Sequence, residues 1–440
     1  MAEPLRVGLA GLGTVGSSVA AMIIRTRDAI AERAGRPIDL VAYASKDPPR
    51  DATLDLSKVR KVADPVALAR DPDIDVFVEL MGGSGDPAKS SVEAALAAGK
   101  PVVTANKALL AHHGVALAQL AEKNKTTLSF EAAVAGGIPI IKTLREGLGG
   151  SRINRIYGIL NGTCNYILTR MAKERLSFDV CLKEAQKLGY AEADPTFDIG
   201  GFDTAHKIAI LTSVAFGTEV DADAVHVEGI EQITLADLEA ADELGYRVKL
   251  LGVAQRTDAG IEQRVHPTMV PKGNVIAEVD GVLNAVAVDA DTMALTLMGP
   301  GAGGAATSSA VVADIMDLAA GRRVPSFGRP AGSLVKAPRA PIQRHEGGYY
   351  IRLAAVDRPG SAATIARRMA EADISLESIM QRGRDRKPHG GDDPRSADKP
   401  APVVLITYAT TEDAIRRALA AIEQDGVLAE KPQLIRIEKG

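Results

Sequence analysis

Apolar and polar positions along the chain follow two periods in alternation. Arg6 to Ala10 (RVGLA) is a short apolar run, and behind it Val19, Ala20, Ile23 and Ile24 recur at steps of three and four, the spacing of one helical face. Ile38 to Ala44 (IDLVAYA), Ile74 to Leu80 (IDVFVEL), Pro101 to Lys107 (PVVTANK) and Thr127 to Glu131 (TLSFE) read as further strands. Helical stretches such as the one through Val92 and Leu96 separate them. Strands alternating with helices predict a Rossmann-type, doubly wound parallel sheet over residues 1–131. Ala132 to Ile141 (AAVAGGIPII) then crosses into a second, α+β region spanning 132–318. Met298 to Ile315 (MGPGAGGAATSSAVVADI) predicts a glycine-rich turn entering a helix that returns, over about 299–340, to the first sheet. Residues 319–347 carry arginines, prolines and glycines and predict a connector.

From Tyr349 the pattern restarts. Strand YYIRLAAV, the turn Asp357-Arg-Pro-Gly360 and a helix with Ala362, Ile365, Ala366, Met369 and Ala370 on one face come first. Strands ISLESI and VVLITYA, a helix carrying Ile415, Leu419 and Ile422, and strand QLIRIE complete β-α-β-β-α-β. This ferredoxin-like plan predicts a small separate unit over 349–440. Within it Gly383 to Pro402 is polar, proline-bearing and free of large apolar residues, the composition of a disordered hairpin extension.

The first strand leads into Gly11-Leu-Gly-Thr-Val-Gly16 and then a helix, the context that makes G-x-G-x-x-G a dinucleotide site. Gly11 permits the tight turn, Gly13 lets the backbone approach a pyrophosphate, and Gly16 allows close helix–strand packing. Thr14 and Val15 stand at the helix start, whose N–H groups attract phosphate. The second strand continues as Ser45-Lys46-Asp47. Lys46 with Ser45 suits a 2′-phosphate and favours NADP, while Asp47 keeps NAD open. Ligands bind at the carboxyl ends of such strands, so Gly83, Ser84, Asn106 and Lys107 point to the nicotinamide side. Lys107 reads as a proton carrier or carboxylate anchor, the plain alternative being a helix-start lysine in water.

A second chemical cluster lies in LGYAEADPTFDIGGFDTAHK (Leu188 to Lys207), where Glu192, Asp194, Asp198 and Asp203 surround a single lysine. Lys207 follows Asp203 by four residues, the step that puts two side chains on one helical face. Pro195 and the Gly200–Gly201 pair predict that the acidic part is a loop. Such acids suit a small zwitterion whose ammonium needs carboxylates, beside a lysine able to move a proton. A solvated acidic loop is the plainer reading.

Composition narrows the classes. Aromatics make up 3% with no tryptophan, which disfavours stacking on nucleobases. Acids number 56 against 52 bases, net −4, so neither nucleic acid nor an anionic membrane is an expected partner. No apolar run approaches the roughly 20 residues that span a bilayer, and MAEPLRVG enters a strand with no room for a signal sequence. Cys164 and Cys181 are too few for a disulfide framework and fit a reducing cytoplasm. The seven histidines show no H-x-x-x-H or Cys/His cluster, so no zinc site is expected.

Together these motifs resemble the homoserine dehydrogenase family over essentially the whole chain. The family signature G-Y-x-E-x-D-P-x-x-D-x-x-G-x-D-x-x-x-K stands intact at Gly189, Tyr190, Glu192, Asp194, Pro195, Asp198, Gly201, Asp203 and Lys207. T-A-N-K (Thr104 to Lys107), N-G-T-x-N (Asn161, Gly162, Thr163, Asn165) and G-x-G-A-G (Gly299 to Gly303) are also family-like. The terminal unit resembles an ACT domain, with Asp357, Pro359 and Gly360 as its D-x-P-G turn. The resemblance implies NAD(P)-dependent interconversion of L-homoserine and L-aspartate 4-semialdehyde, on the branch to threonine, isoleucine and methionine. It makes 132–318 the catalytic and dimerisation domain. It implies Lys207 as proton donor, Lys107 near nicotinamide and substrate, and Glu192 and Asp203, with Asp194 and Asp198 beside them, as substrate-binding acids. Gly303 joins Gly11, Gly13 and Gly16 on the cofactor. The resemblance further implies a structural sodium ion at Glu131, Val134, Gly136 and Ile138, a homodimer or homotetramer, and threonine as effector of residues 349–440. No kinase-sized region precedes the Rossmann pattern, so a monofunctional enzyme is expected. His206 reads as a packed or solvent-facing helical histidine, a proton relay being its alternative.

Two rival readings differ in class. A cysteine-dependent semialdehyde dehydrogenase would need a thiolate, and Cys164 in NGTCNYIL stands at an apparent helix start that could lower its pKa. A buried small hydrophobe is the simpler role for it. A non-catalytic sensor working through the ACT unit would have no evident need for both Lys107 and Lys207.

Overall fold

The computed structural model describes residues 3–356, 358–381 and 400–438. Six strands, β1 (Leu5–Ala10), β2 (Ile38–Ala44), β3 (Arg60–Lys61), β4 (Val76–Glu79), β5 (Val102–Thr104) and β6 (Leu128–Ser129), pair in parallel in the order β3-β2-β1-β4-β5-β6. Val7, Leu9, Phe77, Val78, Val102 and Val103 are fully buried. Helices on both faces of a parallel sheet require that, which is why its strands read as apolar runs. The order reverses between β1 and β4, and the crevice outside their carboxyl ends is where such sheets hold a ligand.

The helix Gly304–Ala319 returns to this layer and packs on the helix Thr14–Arg25. A Cβ on Gly304 would stand 2.3 Å from Ser18 Oγ, so only glycine lets the two helices approach there. The turn entering this helix is shorter than the glycine pattern predicted, because Met298, Gly299 and Pro300 end a strand instead.

The other strands are β7 (Ile153–Ile159), β8 (His226–Val227), β9 (Tyr246–Thr257), β10 (Gly260–Pro271), β11 (Leu283–Ala290), β12 (Ala294–Pro300), β13 (Glu346–Ala355), β14 (Leu376–Gln381), β15 (Ala401–Thr407), β16 (Thr410–Thr411) and β17 (Gln433–Ile437). They form one eleven-stranded sheet, in which β12-β11-β7-β9-β10-β17-β13-β15-β14 run side by side, β8 joins β10 and β16 joins β13. The helix Phe202–Phe216 lies across β7, β9 and β10. It settles closely at Gly252 of β9, where a Cβ would stand 3.0 Å from Thr204 Cγ2 and 3.2 Å from Leu160 Cδ1.

The last strands and two helices follow the β-α-β-β-α-β plan, with a core of their own, and their strands continue the sheet of the preceding region. β17 pairs in parallel with β10 through Thr268↔Arg436 and Met269↔Ile437, making one sheet of both regions. Their strands are apolar on both faces: Tyr349, Ile351 and Leu353 pack under the terminal helices, while Tyr350, Ile406 and Ile437 join the main core. Asp237 closes the seam, accepting from Arg352 Nε at 2.6 Å and Tyr350 Oη at 3.2 Å. Asp357 of the D-x-P-G turn and residues 383–399 of the expected hairpin extension lie outside the described residues. The extension ends earlier than expected, since Ala401 and Pro402 already belong to β15, opposite Ala355 and Ala354. Among the described residues no helix is long and apolar enough to cross a membrane.

Candidate active site

The glycine loop after β1 is shaped by steric necessity. Gly11 has φ 97°, and a Cβ on it would lie 2.6 Å from Leu80 O; the left-handed turn and the crowding each demand glycine. A Cβ on Gly16 would stand 1.9 Å from Gly11 O, inside the loop itself. Gly13 has nothing within 4 Å of its Cβ position, so the backbone is open where a pyrophosphate would approach. Thr14 and Val15 begin the helix. Gly303 (φ 104°) precedes the returning helix, and a Cβ on the next residue, Gly304, would be 3.2 Å from Thr14 O. The two glycine segments therefore meet. Ser45 is engaged in bracing this loop: its Oγ accepts from Leu12 N at 3.3 Å and donates to Asp47 O at 2.8 Å. Lys46 is exposed beside it.

Lys107 is placed by a residue that the sequence reading passed over. Glu79, fully buried at the end of β4, accepts from Met81 N at 2.8 Å, Gly82 N at 3.2 Å and Thr104 Oγ1 at 2.6 Å. Thr104 Oγ1 accepts from Asn106 N at 3.0 Å, and Asn106 caps the helix Lys107–Lys123 through Leu109 N at 3.0 Å. Asn106 Nδ2 also donates to Gly83 O at 2.7 Å. One network thus ties two adjacent strand ends together, holding Gly83, which precedes Ser84, and the helix start at Lys107. An acid closing an otherwise apolar strand (IDVFVEL) was the available signal.

Across the crevice, Asp203 is 3% exposed and lies between both lysines. Lys207 Nζ donates to its Oδ2 at 2.6 Å and to Leu160 O at 2.7 Å, and Lys107 Nζ stands 3.0 Å from its Oδ1. Asn161 Nδ2 donates to Asp203 Oδ2 and to Asp198 Oδ1, each at 2.8 Å. Asn161 also caps its own helix through Cys164 N at 2.8 Å, so its amide is fixed in orientation. Burial by itself would raise the Asp203 pKa, but Lys207, Lys107 and the hydrogen bonds from Lys207 and Asn161 hold it far below the ordinary carboxyl value. Burial disfavours charge on Lys107, and Asp203 outweighs it, raising that pKa. Asp198 shifts upward through burial and the neighbouring Asp203 charge.

The acidic stretch does not gather round Lys207 as the spacing predicted. Thr196–Ile199, with Asp198, is a short helix rather than loop. Asp194 is exposed and turned to its own backbone, accepting from Thr196 N at 3.1 Å. Glu192 is exposed, and its charge acts on Lys107. Lys207 itself pairs with Asp203 and the Leu160 carbonyl; the second partner of Asp203 is the distant Lys107. His206 is half-buried against His112 and Phe197, with ring centroids 5.4 and 5.3 Å away. Burial and the adjacent His112 and Lys107 lower its pKa. Asn165 lies apart, donating to Val279 O and Leu283 O at 3.0 and 3.3 Å.

Cys164 is fully buried and donates to Asp198 O at 3.2 Å. Burial, reinforced by Asp198 and Asp203, raises its pKa well above the ordinary thiol value. The helix start therefore does not activate it, since two carboxylates and lost solvation oppose a thiolate.

Glu131 is buried in a 3-10 turn, where its oxygens accept from Ile141 N at 2.9 Å and Lys142 N at 2.7 Å. Burial and the nearby Asp314 push its pKa up to about 7. Ala135 and Gly136 follow in left-handed conformation (φ 55° and 51°) and fold the chain back on itself. Among the described residues no hydrogen bond reaches the buried carbonyls of Val134 and Gly136, and no three His, Cys, Asp or Glu side chains stand together as a metal site.

A family model described as homoserine dehydrogenase matches residues 139–316, and a second, described as homoserine dehydrogenase, NAD binding domain, matches residues 11–131. The homoserine dehydrogenase of Neisseria gonorrhoeae is 43% identical over 450 residues, 99% of each chain. The solved homoserine dehydrogenase of Thiobacillus denitrificans superposes with a TM-score of 0.91 at 42% identity, covering 99% of both chains. A hyperthermophilic archaeal homoserine dehydrogenase solved in complex with NADPH superposes over 72% of this chain and 97% of that one, with a TM-score of 0.61 at 28% identity.

Replacing Cys164 with serine keeps a donor to the Asp198 carbonyl and removes the thiol. Homoserine oxidation followed by nicotinamide absorbance is expected to stay near the native rate, whereas loss of turnover in a folded Cys164→Ser protein would restore the thiolate mechanism.

Proposed function

The chain belongs to the homoserine dehydrogenase family, an NAD(P)-dependent oxidoreductase interconverting L-aspartate 4-semialdehyde and L-homoserine, and we propose that the Asp203–Lys207–Lys107 cluster is where it acts. One observation carries this reading: a buried carboxylate facing two lysines, one of them mounted at the carboxyl end of a dinucleotide-type sheet. When bound, the nicotinamide cofactor supplies or accepts the hydride at the substrate carbonyl carbon. The protein's part is to handle the charge that hydride transfer creates on oxygen. In reduction Lys207 donates a proton to that oxygen, and in oxidation it takes the proton back. Its side chain is 12% exposed and fixed by Asp203 and the Leu160 carbonyl, so the donor is aimed before the reaction begins. Lys107, 34% exposed, faces the cofactor side and adds positive charge. Asp203 is saturated by two lysines and Asn161, and it orients them. Glu192 and Asp198 are left for the substrate ammonium, with Asp194 shaping the loop that presents them.

Gly11, Gly13, Thr14, Val15, Gly16, Gly83, Ser84 and Gly303 line the cofactor side of this reading. The exposed Lys46 just past β2 supports NADP, the exposed Asp47 beside it keeps NAD open, and the NADPH-bound archaeal relative agrees with NADP. With homoserine, NADP is expected to turn over more efficiently than NAD. Lys207→Ala is expected to lose roughly 10²–10⁴-fold in rate while fluorescence still reports binding of reduced cofactor. A mutant that turns over normally would remove Lys207 from its role.

The residues around Glu131 fit a sodium ion. Two main-chain carbonyls with no hydrogen-bond donor among the described residues, beside a buried carboxylate set between Asp314 and Lys142, are oxygen donors of the kind such a hard cation takes. Val134, Gly136 and Ile138 would supply main-chain oxygens. Thermal unfolding is expected at higher temperature in sodium chloride than in tetramethylammonium chloride of equal ionic strength, with the difference abolished in Glu131→Gln. Equal melting of the native chain in both salts would remove the ion.

The same reading makes the enzyme cytoplasmic, in keeping with its two free buried cysteines, and a homodimer or homotetramer through the region after residue 131. It also makes threonine an effector. A cavity of about 310 Å³ beside Arg358, Pro359, Gly360 and Ser361 has room for a small amino acid, and Ser361 Oγ is buried there with no partner among the described residues. Threonine is expected to inhibit homoserine oxidation with saturation. Unchanged activity through millimolar threonine would exclude it.

A further inference from the structure

The turn that launches the Lys207 helix rests on a segment that the catalytic reading does not use. A Cβ on Gly201 would stand 3.0 Å from Val265 Cγ1 and 3.1 Å from Val227 Cγ1. One on Gly229 would stand 2.4 Å from Ile199 O. Ile230 N donates to Ile199 O at 2.9 Å, and Glu228 N donates to Val265 O at 2.8 Å. Residues 227–230 are thus wedged between β10 and the Ile199–Gly201 turn. Asp198 stands one residue before this turn and Asp203 two residues after it. With so little free space, the wedge cannot shift without moving both carboxylates.

What holds the wedge comes from the other end of the chain. Arg436, on β17, donates from Nη1 to Glu228 Oε2 at 2.8 Å and from Nη2 to Glu228 Oε1 at 3.0 Å. Its guanidinium also binds Glu412, from Nε at 2.7 Å and Nη2 at 2.6 Å. Arg436 is 1% exposed and Glu412 is fully buried. A bidentate arginine–carboxylate pair fixes direction as well as distance, and Glu412 leaves Arg436 no other rotamer that satisfies its donors. His226 Nε2, 2.8 Å from Glu228 Oε1, completes the clamp.

We propose that Arg436 and Glu228 are a positioning pair for the substrate side of the active site, through which the C-terminal unit sets where Asp198 and Asp203 stand. The inference rests on the reading of Asp203 and Lys207 as the substrate site. It gives the fused sheet a purpose in catalysis: β17 carries a side chain that reaches, through one carboxylate and one wedge, to the loop that receives homoserine.

The test uses the full-length enzyme with Glu228→Ala, Glu228→Gln, Arg436→Lys and the double variant Glu228→Ala/Arg436→Lys. Glu228 is half-buried and Arg436 keeps Glu412 in its absence, so the fold survives the first change. Glu228→Ala is expected to raise KM for homoserine by at least about 5-fold, with a smaller change in kcat and in the binding of reduced cofactor. Glu228→Gln, which still accepts one hydrogen bond, should fall between it and the native chain. The double variant should be no worse than Glu228→Ala, because Arg436 acts through Glu228. An unchanged homoserine KM, a parallel rise for homoserine and cofactor, or additive losses in the double variant would each overturn the proposal. Should Glu228→Ala fail to fold, Glu228→Gln and Arg436→Lys give the same readout. Lys207→Ala measured alongside separates the two readings: full activity there removes the site assignment, whatever the Glu228 variants show.

Discussion

Asp203 places one negative charge, almost wholly out of water, between two ammonium groups on different layers of the molecule. Desolvating three charges costs several kcal/mol for each ion, and the attraction between them repays it only with good geometry and further hydrogen bonds. That requirement runs outward through the structure. Asn161 supplies the extra donor, and it can do so because its carbonyl oxygen caps a helix. Lys207 is held by the Leu160 carbonyl and by a helix that sinks onto β9 at Gly252. Lys107 is held by the Glu79–Thr104–Asn106 network at the ends of β4 and β5. Removing any of these leaves a buried charge with too few partners.

The arrangement also divides labour between neighbouring acids. A carboxylate already committed to two lysines has little capacity left for a third cation, so in the proposed reading Asp203 anchors Lys107 and Lys207. Asp198, pushed upward by burial and by Asp203, and the exposed Glu192 keep more of their capacity. The carboxylate that raises the Lys107 pKa, Asp203, also helps to raise that of Cys164. One electrostatic environment therefore favours the charged form of Lys107 and disfavours a thiolate at Cys164.

Continuity of the eleven-stranded sheet places the C-terminal strands in the same layer as β7, β9 and β10, on which the helix carrying Asp203 and Lys207 lies. Their outer face has its own helices and core, while their inner face shares the core of the substrate region. Charged groups stitch the seam: Asp237 with Arg352, Glu228 with Arg436, and Arg155 and Arg264 with Glu438. Ion pairs so deeply buried add little net stability over apolar packing, but they tolerate only one register. A parallel β10–β17 contact between strands far apart in sequence needs that kind of registration.

Local order was legible in the amino-acid sequence wherever one segment carried its own reason. The strand–glycine–helix entry, the alternating periods and the Asp203–Lys207 step each depend on neighbours within a few residues, and each stands where the spacing put it. So does the β-α-β-β-α-β terminal pattern. The sequence alone misplaced what depends on distance. Asp194 turned to its own backbone because an Asx turn was nearer than Lys207. Cys164 is the buried small residue of the simpler reading, but the two carboxylates that oppose a thiolate there come from another segment. The second lysine on Asp203 came from 96 positions earlier in the chain, and Glu79 looked like the end of an apolar strand. The fused sheet left no trace in the pattern, since a parallel pairing requires no turn between its strands. Sequence by itself determined the elements and the chemical inventory, because propensity and periodicity are local. Only the tertiary structure decided which charges share a desolvated space, because that depends on which distant segments the packing brings together.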